Sequence, residues 1–272
     1  MHSLKDTLKK EFNLEEIRQR ASSLSSIAKT GHEPEKYRCD KCKDLGGRIQ
    51  RVALSDKPFD YMDKWEDCTC IRERMIERLM GSSKITEEFQ QKTFHNFEEE
   101  GRPELIKTAY QKAGAYAKNF FDIRSTRKNS LALLGRPGSG KTHLAMAVCN
   151  YLLKKGVGVH YFPWVEGFNE IKDNLDTLDT RIRQLQQAEV LFIDDMYKGR
   201  QKPTDFQAEQ SFAIVNYRYL NNLPMLISSE RTISGICEID EALGSRINEM
   251  CRDYKVVIKG GIELNYRLRS ED

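Results

Sequence analysis

Residues 131–143 read LALLGRPGSGKTH, and this stretch is the strongest indication of the fold. It fits the phosphate-loop template of glycine, four residues, glycine, lysine and serine or threonine, at Gly135, Gly140, Lys141 and Thr142. An apolar run precedes the loop and a helical pattern of apolar residues follows it, which is the strand–loop–helix context that the template requires. The stretch therefore predicts a site for a nucleoside triphosphate.

The residue types explain how such a loop binds phosphate. Glycines let consecutive N–H groups point inward, and the helix that follows adds its positive N-terminal end. Lys141 supplies a point charge for the outer phosphates, and the Thr142 hydroxyl is a ligand for Mg²⁺. His143 is expected to pack or to face solvent rather than to act in catalysis. The predicted ATP-binding residues are Gly135, Arg136, Pro137, Gly138, Ser139, Gly140, Lys141, Thr142 and His143.

Composition limits the class of protein. A chain of 272 residues can hold one sizeable domain and something small. Because charged residues make up 31% and the net charge is only +3, nucleic-acid binding has to be argued from local patches. No apolar stretch has the length of a membrane span and the start is no signal peptide, so we expect a cytoplasmic protein with reduced cysteines and no membrane partner.

Four of the seven cysteines form two close pairs, Cys39 with Cys42 and Cys68 with Cys70. Two such pairs at this separation predict a tetrahedral zinc site of the ribbon type, although the second pair has one intervening residue instead of two. A module this small, with few large apolar side chains, needs a metal to fold. A redox pair is disfavoured because the segment lacks a strand-to-helix setting.

The first part of the chain carries apolar residues at roughly helical spacing between residues 3 and 29. One helix and two short helices broken near Asn13 fit this pattern equally well. The apolar face has two equally plausible uses, packing on the next module or docking on a partner protein. We predict a helical segment (1–35), a four-cysteine zinc-binding module (36–80), a linker (81–100) and an ATPase domain (101–272).

Beyond the phosphate loop, predicted strands alternate with predicted helices, which indicates a doubly wound parallel sheet. The apolar strand at residues 190–193 ends in Asp194 and Asp195. At the carboxyl end of a central strand, Asp194 can reach Mg²⁺ directly or through water, and Asp195 can orient or deprotonate the attacking water. A strand-capping turn with solvated acids is the alternative, and it is disfavoured beside a phosphate loop.

Four ordered motifs, GRPGSGKTHLA, VLFIDD, PMLISS and GSRI, resemble those of the DnaC/DnaI-type AAA+ ATPases, which load replicative helicases and are related to the IstB transposition ATPases. The resemblance covers about residues 90–270 and extends to the cysteine segment, which is similar to the amino-terminal zinc module of DnaI-like and phage-type loaders. It implies an α/β fold: an AAA+ P-loop domain with a parallel sheet, preceded by a small helical and zinc-ribbon-like module that binds the helicase. The chain departs from the family in one respect, because the 26 residues after Arg246 are expected to be too few for a full helical lid.

The resemblance also implies residue roles. Arg246 in the GSRI motif corresponds to an arginine finger that reaches the γ-phosphate on a neighbouring subunit, and a surface ion pair is its alternative. Many relatives carry an asparagine that senses the γ-phosphate where this chain has Glu230. Either Ser229 is then the sensor, or the site is weakened. Asp195 stands where other AAA+ proteins carry glutamate, which is consistent with slow, switch-like turnover. Arg267 and Arg269 are candidates for phosphate or DNA contacts, and solvent exposure is equally plausible.

The expected function is that of an ATP-dependent helicase loader, with a replicative helicase hexamer, single-stranded DNA and further copies of the chain as partners. An IstB-like transposition ATPase on duplex DNA and a non-hydrolysing ATP-binding adaptor remain alternatives.

The candidates for DNA contacts are Trp164, Phe168, Lys172, Arg181, Arg183 and the loop at residues 198–202. Cations beside aromatic residues suit the binding of single-stranded DNA. A charged helix exposed to solvent explains the same residues equally well.

Overall fold

The computed structural model describes residues 37–53, 61–199 and 202–268. The predictions for residues 1–35, for the turn at residues 56–58 and for Arg269 lie outside these ranges. The chain divides between Cys70 and Ile71 into two compact units. Among the helices of the described ranges, none combines the length and apolar character needed to cross a membrane.

The smaller unit contains an antiparallel hairpin of β1 (Gly47–Ala53) and β2 (Tyr61–Asp67). The first cysteine pair lies in a turn just before β1, where Gly46 has a φ of 82° that favours glycine. The second pair follows β2, and the Cys68 N–H donates to the Gly46 carbonyl at 2.8 Å. The hairpin thus brings both cysteine pairs to one end, where helix α1 (Thr69–Ser82) begins.

The larger unit is built on a five-stranded sheet in which all neighbouring strands are parallel. This confirms the parallel sheet predicted from the alternation of strands and helices. From one edge to the other, the strands are β4 (Val159–Pro163), β5 (Val190–Asp194), β6 (Met225–Ser229), β3 (Leu131–Gly135) and β7 (Tyr254–Ile258).

The helical stretch predicted from Trp164 to Gln187 is interrupted by the 3₁₀ turn Leu175–Thr177. After β7 the described chain continues as the short 3₁₀ turns Ile262–Leu264 and Tyr266–Leu268. The remaining described helices are α2 (Glu87–Gln90), α3 (Glu104–Ile123), α4 (Lys141–Lys154), α5 (Trp164–Asp173), α6 (Leu178–Gln187), α7 (Asp205–Leu220), α8 (Ile233–Cys237) and α9 (Glu241–Met250).

Both faces of the sheet are covered by apolar packing. Successive residues of β3 alternate between two cores, with Leu131 and Leu133 in one and Ala132 and Leu134 in the other. Helices α3 and α4 contribute to the first core, and α5, α6, α7 and α9 contribute to the second. A sheet buried on both faces leaves the carboxyl ends of its strands as the open edge for a ligand.

The predicted linker belongs to the larger unit and packs on its core through aromatic residues. Phe97 is buried in the first core and Phe94 packs against it. The buried Asn150 side chain of α4 donates hydrogen bonds to the carbonyls of Phe89, Gln90 and Lys92 at 2.9, 3.1 and 2.7 Å. These contacts fix the segment beside the phosphate loop.

Candidate nucleotide site and cysteine cluster

The phosphate loop joins β3 to α4 and takes its shape from glycines with positive φ. Gly138 has a φ of 69° and Gly140 a φ of 96°, and helix α4 begins at the next residue. A Cβ on Gly138 would lie 1.8 Å from the Asn265 side-chain oxygen, so a larger residue cannot replace it without moving this neighbour. The loop therefore presents backbone N–H groups and a helix N-terminus to one cavity, as phosphate binding requires.

Lys141 lies at the base of a 520 Å³ cavity beside this loop. Its amino group donates to the carbonyls of Gly135 and Arg136 at 2.9 and 2.8 Å, and burial lowers the pKa of Lys141. Thr142 and His143 line the same cavity. The His143 ring contacts the Thr93 carbonyl at 3.0 Å, and burial lowers its pKa. The cavity has the size, glycine backbone and lysine that a nucleoside triphosphate needs.

Asp194 lies at the end of β5, and three hydroxyl groups donate hydrogen bonds to its carboxylate. Thr142 and Ser228 donate to Oδ1, and Tyr161 donates to Oδ2 at 3.2 Å. Burial raises the pKa of Asp194, while the hydrogen bond from Ser228 is the largest opposing influence. Because Thr142 and Asp194 are 2.9 Å apart, the two oxygen ligands predicted for Mg²⁺ lie together.

Asp195 follows in a left-handed conformation with a φ of 54° and lines the cavity. Its Oδ2 lies 2.5 Å from the Lys198 amino group, and this hydrogen bond raises the pKa of Lys198. Its backbone N–H donates to the Ser228 hydroxyl at 2.8 Å. Glu230 also lines the cavity, so Lys141 and Lys198 share it with Asp195 and Glu230.

The structure places the predicted sensor Ser229 away from this cavity. Its side chain is fully buried, and its hydroxyl donates to the Met196 carbonyl at 2.6 Å. Side chains on a strand alternate between faces, so Ser228 rather than Ser229 reaches the carboxylate. Ser228 is therefore the serine that contacts the acidic pair, and the sensor role of Ser229 stays a prediction. The sequence analysis missed Ser228 and Tyr161, although Ser228 is the other serine of the PMLISS motif.

Arg246 lies on α9 and, within the described chain, does not line its own nucleotide cavity. Its guanidinium donates to the Ala242 carbonyl at 2.7 Å and lies 5.3 and 5.4 Å from the ring centres of Phe212 and Tyr219. A position outside its own site is what a finger acting on a neighbouring subunit requires. The role of Arg246 stays a prediction. By contrast, Arg267 does line the cavity.

The aromatic DNA candidates are core residues. Trp164 and Phe168 are 3% and 1% exposed and belong to the second core, so neither ring is available for base stacking. Their spacing on an amphipathic helix reflects packing on the sheet. Arg181 forms an ion pair with Glu170 at 3.0 Å, and Lys172 lies over the Phe206 ring. Residues 200–201 of the candidate loop lie outside the described ranges.

In the smaller unit, the Sγ atoms of Cys39, Cys42, Cys68 and Cys70 lie within 4.8 Å of one another. Cys39 and Cys68 are 3.7 Å apart, and Cys42 and Cys70 are 3.4 Å apart. Four sulfurs around a tetrahedral zinc ion lie about 3.8 Å apart, given a Zn–S bond of about 2.3 Å. A hydrogen bond from the Cys42 backbone lowers the pKa of Cys39 to about 7, whereas a hydrogen bond with the Cys42 side chain raises the pKa of Cys70 to about 12, so it is the positions of the four sulfurs that favour a metal. The cluster therefore fits zinc.

The parallel sheet, phosphate loop and acidic strand end define a P-loop nucleotide-binding protein of the AAA+ class. The chain belongs to the family of IstB-like ATP binding proteins, whose family model matches residues 55–246. It is 44% identical over 260 residues to the phage-like element PBSX protein XkdC of Bacillus subtilis, covering 94% of this chain and 95% of XkdC.

Two solved structures share the fold. The DnaC helicase loader is 23% identical, with a TM-score of 0.55 over 64% of this chain and 100% of that chain. DnaI is 22% identical, with a TM-score of 0.52 over 66% of this chain and 94% of that chain. At these identities the similarity shows the AAA+ architecture, and the roles of individual residues have to be argued from the geometry described above.

Proposed function

We propose that the protein is an ATP-dependent helicase loader. In this proposal it binds a replicative DNA helicase hexamer and delivers it to single-stranded DNA during replication initiation. ATP bound between its own subunits controls assembly and release. The observation that supports this most is the presence, in one chain, of a zinc-type cysteine cluster and an AAA+ nucleotide site. The DnaC helicase loader has the same AAA+ fold, and we extend its role to this chain.

The residues of the cavity have separate roles in ATP hydrolysis. The phosphate-loop N–H groups and Lys141 would bind the phosphates, and Thr142 and Asp194 would hold Mg²⁺, whose charge would offset that of the phosphoryl group. Asp195 orients or deprotonates the attacking water. Its ion pair with Lys198 has to open before it can act, which agrees with slow turnover. Arg246 of a neighbouring subunit supplies a cation at the γ-phosphate.

ATP hydrolysis by the full chain tests these assignments. We expect Asp195→Asn to bind ATP but to hydrolyse it at least about 100-fold more slowly, because a positioned base contributes about 10² or more to the rate. Arg246→Ala should lower the rate of ATP hydrolysis by at least the same factor. Arg252→Ala, which removes an exposed arginine close to α9 in sequence, is the matched control and should keep the wild-type rate. Wild-type rates in both site variants would refute hydrolysis at this site, and ATP binding without hydrolysis by the wild-type chain would favour the adaptor.

Binding of a helicase tests the loader itself. We expect the full chain to capture a purified replicative helicase hexamer and to increase the amount assembled on single-stranded DNA circles when ATP is present. Cys42→Ser removes one sulfur of the cluster and should abolish capture while ATP binding by the other unit persists. Failure of the full chain to bind any replicative helicase from its own host would contradict the proposal.

The family match favours a second candidate, an IstB-like ATPase that assists transposition. Such a protein would act on duplex DNA in large oligomers. The two candidates differ in the DNA that stimulates ATP hydrolysis. Stimulation by single-stranded DNA and by the helicase supports the loader, whereas stimulation by duplex DNA alone, with filament growth along it, supports the transposition role.

A further inference from the structure

We propose that Tyr161 is a positioning residue for the magnesium-binding carboxylate of Asp194. Its hydroxyl holds one carboxylate oxygen, and the other oxygen is thereby directed towards Thr142 and the metal. The inference rests on the proposed ATP site and adds a residue to it that lies outside every motif of the sequence.

The two oxygens of Asp194 have different partners. Oδ2 accepts a hydrogen bond from the Tyr161 hydroxyl at 3.2 Å, whereas Oδ1 accepts one from Thr142 at 2.9 Å and another from Ser228. A carboxylate held at both oxygens cannot rotate without breaking hydrogen bonds. Groups that orient a metal ligand in this way tune how well the ligand binds the metal.

The tyrosine is itself held firmly. It lies in β4 directly beside β5, its side chain is buried, and its backbone N–H donates to the Ser83 carbonyl at 2.9 Å. Its ring packs edge-on against Phe89, with ring centres 5.8 Å apart, and against Phe192 at 5.5 Å. A side chain fixed by packing on two sides presents its hydroxyl in one position, which a precise metal site needs.

The Tyr161 hydroxyl has a role that the aromatic ring alone cannot have. A phenylalanine would keep the contacts with Phe89 and Phe192, so core packing explains an aromatic residue here but not a tyrosine. A tyrosine hydroxyl is protonated at neutral pH and can donate a hydrogen bond, which a phenylalanine ring cannot do. The hydrogen bond to Asp194 is therefore the property that distinguishes tyrosine from phenylalanine at this position.

The experiment compares Tyr161→Phe with wild type in the full chain. ATP hydrolysis is measured over a range of Mg²⁺ concentrations, and ATP binding is measured by calorimetry in EDTA. We expect the Mg²⁺ concentration for half-maximal hydrolysis to rise about tenfold, because loss of a group that orients a metal ligand costs about 10- to 100-fold in affinity or activity. ATP affinity in EDTA should stay unchanged. Tyr151→Phe, which removes a hydroxyl from a partly buried tyrosine of α4, should change neither quantity.

The outcomes separate this inference from the proposed function. An unchanged Mg²⁺ requirement in Tyr161→Phe, while Asp194→Asn still abolishes hydrolysis, would overturn the inference and leave the ATP site intact. A matching loss of ATP affinity in EDTA would also overturn it, because it would show a general structural role. If Lys141→Ala and Asp194→Asn both hydrolyse ATP normally, the proposed site fails and this inference fails with it.

Discussion

Replacing Ser228 by alanine should damage the site far more than replacing Ser229, although the two adjacent serines are equally buried. The Ser228 hydroxyl donates to the Asp194 carboxylate and accepts from the Asp195 N–H. Its loss therefore removes one hydrogen bond from the buried carboxylate and leaves the Asp195 N–H without this acceptor. Hydrogen bonds to charged groups contribute about 1.5–3 kcal/mol, and an unsatisfied buried group costs about 1–3 kcal/mol. We expect Ser228→Ala to lower the free energy of unfolding by about 2–4 kcal/mol.

Ser229→Ala is the matched control. The Ser229 hydroxyl donates to the Met196 carbonyl and accepts from the Arg231 N–H at 3.1 Å, so two neutral hydrogen bonds are lost and a cost of about 1–2 kcal/mol is expected. Urea unfolding measures both free energies, and ATP hydrolysis at saturating Mg²⁺ measures the site. We expect hydrolysis to fall at least about tenfold in Ser228→Ala only. A greater loss of hydrolysis in Ser229→Ala would refute our assignment and support Ser229 as the sensor.

Three further predictions concern stability and metal content. Burial, followed by the charge of Lys84, lowers the pKa of His160 from 6.5 to about 4, so the unfolded chain binds a proton that the folded chain excludes between these pH values. Stability should therefore fall as the pH drops from 6.5 to 4, by up to about 3 kcal/mol in urea unfolding, and His160→Gln should remove this dependence. Arg218 is fully buried and donates to the carbonyls of Leu185, Gln186, Ala188 and Pro224. Arg218→Met removes these four hydrogen bonds and should cost about 3–5 kcal/mol, measured in the same way; a cost near zero would contradict it. Thiol modification should release one equivalent of zinc per chain, detected with a metal dye, and Cys42→Ser should contain much less zinc.

The phosphate loop and the cysteine cluster could be predicted because each is defined by particular residue types at short spacings in the sequence. Gly140, Lys141 and Thr142 are consecutive, so a single turn from strand to helix places them around one phosphate site. Each cysteine pair is likewise local, and only the closure of one hairpin was needed to bring both pairs together. In such cases the local sequence determines most of the geometry.

Two partners of Asp194 could not be predicted, because they come from two other strands and the sequence does not state the order of the strands in the sheet. Tyr161 in β4 and Ser228 in β6 flank β5 only in the folded sheet. The choice between Ser228 and Ser229 depends on strand register, since moving by one residue turns a side chain to the other face. Sequence reasoning chose the serine by resemblance to a sensor position, and the register places the other one at the carboxylate.

The helix at Trp164 shows a different limit. An apolar and aromatic stripe at helical spacing fits both a DNA-contacting face and a core-facing one. The structure buries Trp164 and Phe168 against the sheet, which leaves only the charged face of α5 for solvent or a ligand. Composition alone could not decide this, because the two alternatives differ only in what covers the apolar face.

Mixing two inactive variants tests most directly whether ATP is hydrolysed between subunits. Lys141→Ala should lack a working phosphate site but keep Arg246, and Arg246→Ala should have the opposite defect. In an equimolar mixture, about a quarter of randomly formed interfaces would join an intact phosphate site to an intact arginine. We predict that ATP hydrolysis returns on mixing to roughly that fraction of the wild-type rate. A mixture as inactive as either variant alone, under conditions where wild-type chains associate, would contradict a site completed by the neighbouring subunit.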